Sequence, residues 1–269
     1  MTLPRIGVFD SGVGGLTVLR AIAAQLPAHY SYFGDTARLP YGTKSAETVA
    51  RYAIGATRFL ETQNIDLLVI ACNSATALAL PQIRQAATAP VVGVVEPGAA
   101  MAAEVSRSRH VIVIATEATV SSHAYRDALQ KLGLEAHEKA CPLLVPLVEE
   151  GWINHPVTEQ VARIYLGEAM AESSDKADVL VLACTHYPLL TPLLRRIVPE
   201  HVRIVDSAES TARAVTQTLS HSQAAPSTGN RDHRSFRFFV TDSVEKFRRL
   251  ATRFLGRVVD HVEHVDLGG

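Results

Sequence analysis

One octapeptide pattern occurs twice in this chain, each time at the end of an apolar run. DLLVIACN (66–73) aligns with DVLVLACT (178–185); five of the eight positions are identical, and the rest are apolar except the last. A short, continuous run of Val, Leu and Ile reads as a strand buried on both faces, as in a parallel sheet. Each run ends in a cysteine, Cys72 or Cys184, at the carboxyl end of its strand. In parallel α/β sheets that is where ligands bind. The repeat therefore predicts two related α/β halves, each delivering a thiol to the ligand-binding end of its sheet.

The surrounding pattern agrees. Strands are predicted at 5–10, 30–33, 66–71 and 91–95, with helices over 14–26 and 43–62. The alternation restarts with a strand at 110–115 and a helix over 121–132, which Ser121 or Ser122 caps and Gly133 ends. A helix over 157–171, a strand at 178–183, a helix near 189–197 and a strand at 202–205 follow. Residues 218–234 are small, polar and turn-rich, so a surface loop is expected there. A last strand (235–242) and helix (243–255) are expected to return to the first half. Strands alternating with helices specify an α/β class with mostly parallel sheets flanked by helices. The expected division is a discontinuous first domain, 1–97 plus 207–269, and a second domain, 98–206, with the site at their interface.

Composition narrows the functional classes. The chain has 269 residues, 47% of them hydrophobic, enough for two packed domains and too apolar for a disordered protein. Lys and Arg number 26 against 27 Asp and Glu, so no basic excess suggests a nucleic-acid partner. No apolar stretch approaches the roughly 18 residues of a membrane helix. The start, MTLPRIGVFD, lacks the features of a signal peptide. With three cysteines, an odd number too small for a disulfide framework, the expected location is a reducing cytoplasm.

Free cysteine often packs as a small hydrophobe, and that suits Cys141 in ACPLLVPLV. Packing alone explains less well two thiols at matching strand ends, followed by Asn73 and by Thr185 and His186. Zinc is a second reading, but Cys184 and His186 are far along the chain from Cys72 and no close ligand pair exists. A dithiol redox pair lacks the CxxC spacing, and a Cys–His nucleophile leaves the second thiol without a role. Two thiols facing each other across a cleft suit inversion of a carbon centre: one thiolate removes a proton from one face and the other thiol delivers one to the opposite face. Each then needs a proton affinity tuned to working pH, which Asp10 near one cysteine and His186 near the other can supply. This logic needs no cofactor and no metal.

Other strand-end loops carry polar groups. FDSGVGGLT (9–17) has glycines but the wrong register for a dinucleotide fingerprint, since Thr17 stands where the third glycine belongs. A bare helix N-terminus there still suits a carboxylate. Asp35 to Gly42, Glu96 to Gly98, and Thr116 to Thr119 are secondary candidates.

Taken together, FDSGVGGLTV (9–18), GDTARLPYG (34–42), ACNSAT (71–76), PLVEEG (146–151) and ACTHYPLL (183–190) resemble the glutamate racemase family. The resemblance spans nearly the whole chain, in order. It implies a pseudo-symmetric two-domain enzyme, without cofactor, that interconverts L- and D-glutamate and supplies D-glutamate for peptidoglycan. By that resemblance Cys72 and Cys184 match the paired thiols, the first acting on the D-enantiomer and the second on the L-enantiomer. Asp10 matches the group assisting the first thiol and His186 the group assisting the second. Asp10, Ser11, Tyr41, Gly42, Asn73, Ser74, Thr185 and His186 match the segments that hold the amino and carboxylate groups. Thr76, Thr116 and Thr119 are expected as further contacts. The family's acidic residue falls on Glu149, with Glu150 as the adjacent register. Many members have Thr where this chain has Ser74, a change that keeps the hydroxyl. The chain starts almost at its first strand, which lowers the expectation of the nucleotide activation seen in members with an N-terminal extension. A homodimer is expected from the family, and glutamate is the expected small-molecule partner. Two alternatives remain at this level: a related racemase acting on aspartate or another small acid, and a non-catalytic two-lobed amino-acid-binding protein.

Overall fold

The apolar runs become the centres of two sheets in the computed structural model, which describes residues 3–221 and 234–268. The first half runs β1 (Arg5–Asp10), α1 (Leu16–Gln25), β2 (His29–Gly34), α2 (Ala46–Glu61), β3 (Leu67–Ile70), α3 (Asn73–Ala86), β4 (Val91–Gly93) and α4 (Val95–Val105). The second runs β5 (His110–Ala115), α5 (Glu117–Ser122), α6 (Ala124–Lys131), β6 (Glu135–Ala140), α7 (Leu144–Glu149), α8 (Pro156–Glu172), β7 (Val179–Ala183), α9 (Thr191–Ile197) and β8 (Arg203–Asp206). Then come α10 (Ser207–His221), β9 (Ser235–Val240), α11 (Val244–Leu255) and β10 (Glu263–His264).

One sheet has the order β10-β9-β2-β1-β3-β4 and the other β6-β5-β7-β8, and their pairings are parallel. Without β9 and β10 the two orders are the same, so the octapeptide repeat marks a repeated topology. Its strands, β3 and β7, occupy equivalent central places and are buried throughout. The returning β9 lies beside β2.

The aspartates that open the two octapeptides lie at the opposite end of the strands from the thiols. Asp66 accepts the Arg5 N–H at 2.7 Å. Asp178 accepts from the Ser106 hydroxyl (2.7 Å) and from the N–H groups of Arg107 (2.6 Å) and Ser108 (2.8 Å). Burial pushes the Asp178 carboxyl up, but these bonds outweigh it and hold the group down at about 2. Both aspartates tie strand starts to the chain around them.

Several expectations change. The helix expected over 121–132 is two helices, α5 and α6, joined at His123 in the left-handed conformation (φ 56). Ser121 and Ser122 fall in the last turn of α5, although the Ser122 hydroxyl accepts the Ala124 N–H at 3.2 Å. Gly133 does end α6, at φ 75; its N–H and that of Leu134 close on the carbonyls of Gln130 and Leu129. Strand β6 was not expected, because EAHEKA is polar. Residues 96–98 form the first turn of α4 and not a strand end. Of the loop expected over 218–234, residues 218–221 complete α10, and 222–233 lie outside the described residues. No helix among the described residues is long and apolar enough to cross a membrane.

Candidate active site

Cys72 follows β3 and caps α3. Its sulfur accepts the Ala75 N–H at 3.4 Å, and its thiol lies 3.6 Å from the Ser11 hydroxyl. Cys184 follows β7 in the equivalent place of the other sheet. Each is only 5% exposed, and both line one cavity of about 290 Å³. Loops from both sheets close it, since Ser11, Tyr41, Gly42, Asn73 and Ser74 meet Thr116, Glu149, Thr185 and His186 there. The volume suits a small molecule, being at the low end for ligand pockets.

Three charged side chains support the thiols. Asp10 is buried behind Ser11; its Oδ2 accepts the Gly12 N–H at 2.9 Å, while Oδ1 has no hydrogen-bond partner among the described residues. Burial raises its carboxyl, against the pull of the Gly12 N–H and of His186. The Cys72 thiol is pushed up to about 12, first by burial and then by the Asp10 charge. His186 Nε2 lies 3.2 Å from Glu149 Oε1. Burial works against an imidazolium, but Cys184 and Glu149 outweigh it and push His186 up to about 10. Glu149 is held below its ordinary range, first by the His186 hydrogen bond, which overcomes burial, and also by Lys246, whose Nζ is 3.4 Å away. The acidic residue of the PLVEEG segment that reaches the cavity is thus Glu149; Glu150 does not line it.

The remaining expected residues divide. Thr76 does not line the cavity: its hydroxyl donates to the Ile70 carbonyl (3.1 Å) and accepts the Val94 N–H (3.4 Å), holding the start of α3 to its own sheet. Thr119 stands one layer back, in a hydroxyl triangle with Ser74 (3.2 Å) and Thr116 (3.0 Å). The third side, Ser74 to Thr116, is 2.9 Å and joins the two halves. Tyr41 lines the cavity, yet its phenol donates to Asp35 Oδ2 at 2.5 Å. Asp35 also accepts from Thr241 at the end of β9 (2.8 Å), which anchors the Tyr41 loop. The Asn73 side chain is committed as well, accepting from Tyr125 (2.8 Å) and donating to Ser207 (3.4 Å). What Asn73 and Ser74 offer the cavity is the N-terminus of α3, whose first N–H groups have no intrahelical partner.

Sequence reading missed the lip formed by Pro142, Val145 and Pro146, which carries no polar signal, and it missed the support from α11. From that helix come Lys246 on Glu149, the Phe254 ring edge-on to His186 (centroids 5.0 Å apart), and Arg253 donating to the carbonyls of Val148 and Glu149, both at 3.0 Å. Cys141 is fully buried, with its sulfur 3.6 Å from the Lys139 carbonyl, and does not line the cavity. Among the described residues, the cluster able to offer three metal ligands contains neither Cys72 nor Cys184.

The sequence model of the Asp/Glu/hydantoin racemase family matches residues 6–215. A glutamate racemase of Koribacter versatilis is 61% identical, over 99% of this chain and 98% of that protein. Among solved structures, glutamate racemase from Thermus thermophilus in complex with β-chloro-D-alanine superposes with a TM-score of 0.87 at 43% identity, covering 98% of this chain and 97% of that one. Glutamate racemase from Francisella tularensis in complex with D-glutamate gives a TM-score of 0.89 at 34% identity, covering 99% of each chain.

Proposed function

The chain belongs to the Asp/Glu/hydantoin racemase family, and we propose that it interconverts L- and D-glutamate with Cys72 and Cys184 as the two acid/base groups. The observation that carries the mechanism is that two buried thiols, from equivalent strand ends of two sheets, border one small cavity. A relative's complex with D-glutamate supports the choice of substrate, and near full-length identity to glutamate racemases leaves the aspartate and binding-protein readings without support.

The segments Asp10–Ser11, Tyr41–Gly42, Asn73–Ser74 and Thr185–His186 hold the amino and carboxylate groups of the substrate. The N-terminus of α3 offers N–H donors and the positive end of its dipole to a carboxylate. With L-glutamate bound, the Cys184 thiolate takes the α-proton, and the pair left on carbon is shared with the neighbouring carboxylate. The Cys72 thiol then gives its proton to the opposite face. The product is D-glutamate, with the thiols' protonation states exchanged; the reverse reaction runs from that state. Cys72, pushed up to about 12, is a thiol in the free site and therefore the acid of the L-to-D direction. His186, held as a cation beside Cys184 and Glu149, balances the thiolate. Glu149 is a positioning residue, acting through His186.

The test is α-proton exchange in deuterated water with each enantiomer, using wild type, Cys72→Ser and Cys184→Ser. Each variant is expected to lose racemisation by several orders of magnitude, with exchange impaired most for D-glutamate in Cys72→Ser and for L-glutamate in Cys184→Ser. Racemisation that survives loss of either thiol refutes the mechanism.

The same reading places the units at 1–97 with 207–269 and at 98–206, supported by β9 and β10 joining the first sheet. It also holds the protein to be a cytoplasmic homodimer that supplies D-glutamate for peptidoglycan. Free buried thiols suit a reducing compartment, and sedimentation velocity tests the dimer.

A further inference from the structure

At the other end of the second sheet, His110 opens β5 and pairs in register with Glu135, which opens β6. His137 is two residues along β6 from Glu135, so the two share one face of the strand. His110 Nδ1 lies 3.5 Å from Glu135 Oε2, and His137 Nε2 lies 3.5 Å from Glu135 Oε1. One ligand atom from each residue falls within 4.8 Å of the other two. The imidazole planes are 17° apart, with centroids separated by 6.0 Å. Both nitrogens are buried and lack a hydrogen-bond partner among the described residues, although the Glu135 side chain is 63% exposed. Two lone nitrogens turned toward one carboxylate at the edge of a sheet make a poor packing arrangement, since a buried polar atom without a partner is costly.

We propose that His110, Glu135 and His137 form a binding site for a divalent transition-metal ion such as Zn²⁺, remote from the reaction. Two imidazoles and a carboxylate are an accepted zinc donor set, with bonds of about 2.0–2.2 Å. A tetrahedron with such bonds has ligand edges of roughly 3.4 Å; the two 3.5 Å spacings run to different oxygens of Glu135, so whichever oxygen binds already has one histidine nitrogen at nearly that distance. The other two edges, within 4.8 Å, close by side-chain rotation. Exposed Glu135 leaves the fourth position to water. His110 stands five residues from Ala115 at the cavity end of β5, about 16 Å at strand rise. The ion therefore fastens the exposed edge strand β6 to β5 and takes no part in proton transfer.

Because thiols also bind zinc, the experiment must separate the two places. Equilibrium dialysis of the full chain against Zn²⁺, read by elemental analysis, is expected to give one equivalent in wild type and in the Cys72→Ser/Cys184→Ser variant. Loss of an outer-sphere partner alone costs a metal site about 10–100-fold in affinity. Removing a ligand costs at least that, so Glu135→Gln and His137→Gln should each bind Zn²⁺ at least tenfold more weakly while keeping wild-type racemase activity. Co²⁺ bound in place of Zn²⁺ should show no sulfur-to-metal charge-transfer absorption. Zinc that disappears in the cysteine variant, or persists at full affinity in both Glu135→Gln and His137→Gln, overturns the proposal. So does a wild-type chain that takes up no zinc.

Discussion

Asp10 is placed where a carboxylate is least comfortable: fully buried, with one oxygen unpaired among the described residues and its proton affinity raised by that burial. An acid whose folded-state pKa is raised costs progressively more stability as pH rises above its unfolded value, so near neutrality the buried Asp10 carboxyl works against the fold. Asp10→Asn should therefore raise the melting temperature. The variant removes the buried charge while keeping an acceptor for the Gly12 N–H, and each decade of raised proton affinity relieved is worth about 1.4 kcal/mol, which at ~2–4 °C per kcal/mol for a chain of this size means a gain of a few degrees. The same variant should lower turnover, most strongly of D-glutamate, where Cys72 is the base. A variant that is both less stable and fully active contradicts this account. His186 is raised for the opposite reason, because its partners favour the charged form, so its charge works for the fold. Its pKa, pushed up to about 10, contributes stability that is complete below its ordinary value and lost as pH rises through 10. In Glu149→Gln burial is less opposed, and one charge-assisted hydrogen bond's worth, about a decade in proton affinity, is removed. The alkaline limb of kcat/KM for L-glutamate should move toward neutrality, as should the alkaline fall in melting temperature. An unmoved limb would mean that Glu149 does not set the charge on His186.

Between elements, contact is made by close approach. Gly14, in the turn from β1 to α1, lies against Thr185 and His186 of the other half, and a Cβ there would meet the Thr185 hydroxyl and come within 2.5 Å of His186 Nδ1. Gly42 does the same against Thr116, with a Cβ 2.9 Å from that residue's own. Overpacking of this kind costs about 1–3 kcal/mol. Gly14→Ala should displace His186, lowering kcat by at least tenfold, with the loss in melting temperature set by the same overpacking. Unchanged kcat would show the turn to be slack. The sequence marks the glycines of this turn as a failed dinucleotide motif and a candidate carboxylate site, not as a close approach to the other half, because nothing local says what will lie opposite them. The central strands were legible for the opposite reason. Burial on both faces demands apolar residues throughout, so 110–115 was read to the residue. Strand β6 was missed because an edge strand tolerates Glu135, His137, Glu138 and Lys139; the proposed metal ligands went unseen with it. His123 splits an otherwise periodic helix by a backbone conformation that no periodicity records. Thr76 and Tyr41 sit in the expected segments, but their hydroxyls turn to Ile70 and Asp35, and motif position does not tell a ligand contact from a scaffold bond.

At the scale of the whole molecule, the two sheets are latched across the cavity. Thr17 donates to the Thr185 carbonyl (2.9 Å) and Tyr125 to Asn73 (2.8 Å), beside the Ser74–Thr116 pair. Both site thiols are only 5% exposed, so a bulky alkylating reagent reaches them when these contacts part. That opening is a local event, less costly than unfolding, and it uncovers Cys72 and Cys184 together. Cys141, fully buried outside the cavity, becomes accessible only when its half unfolds. Alkylation followed by mass spectrometry separates these events. Low urea should barely change the labelling of Cys72 and Cys184, with Cys72 the slower of the two because it is held as the thiol, whereas Cys141 should react more slowly still and accelerate steeply with urea, because its exposure releases a large buried surface. D-Glutamate at about 100 times its dissociation constant should slow both site thiols by as much as ~100-fold, since only ligand-free molecules open. Protection of one site thiol without the other would break the shared cavity on which the two-thiol mechanism depends.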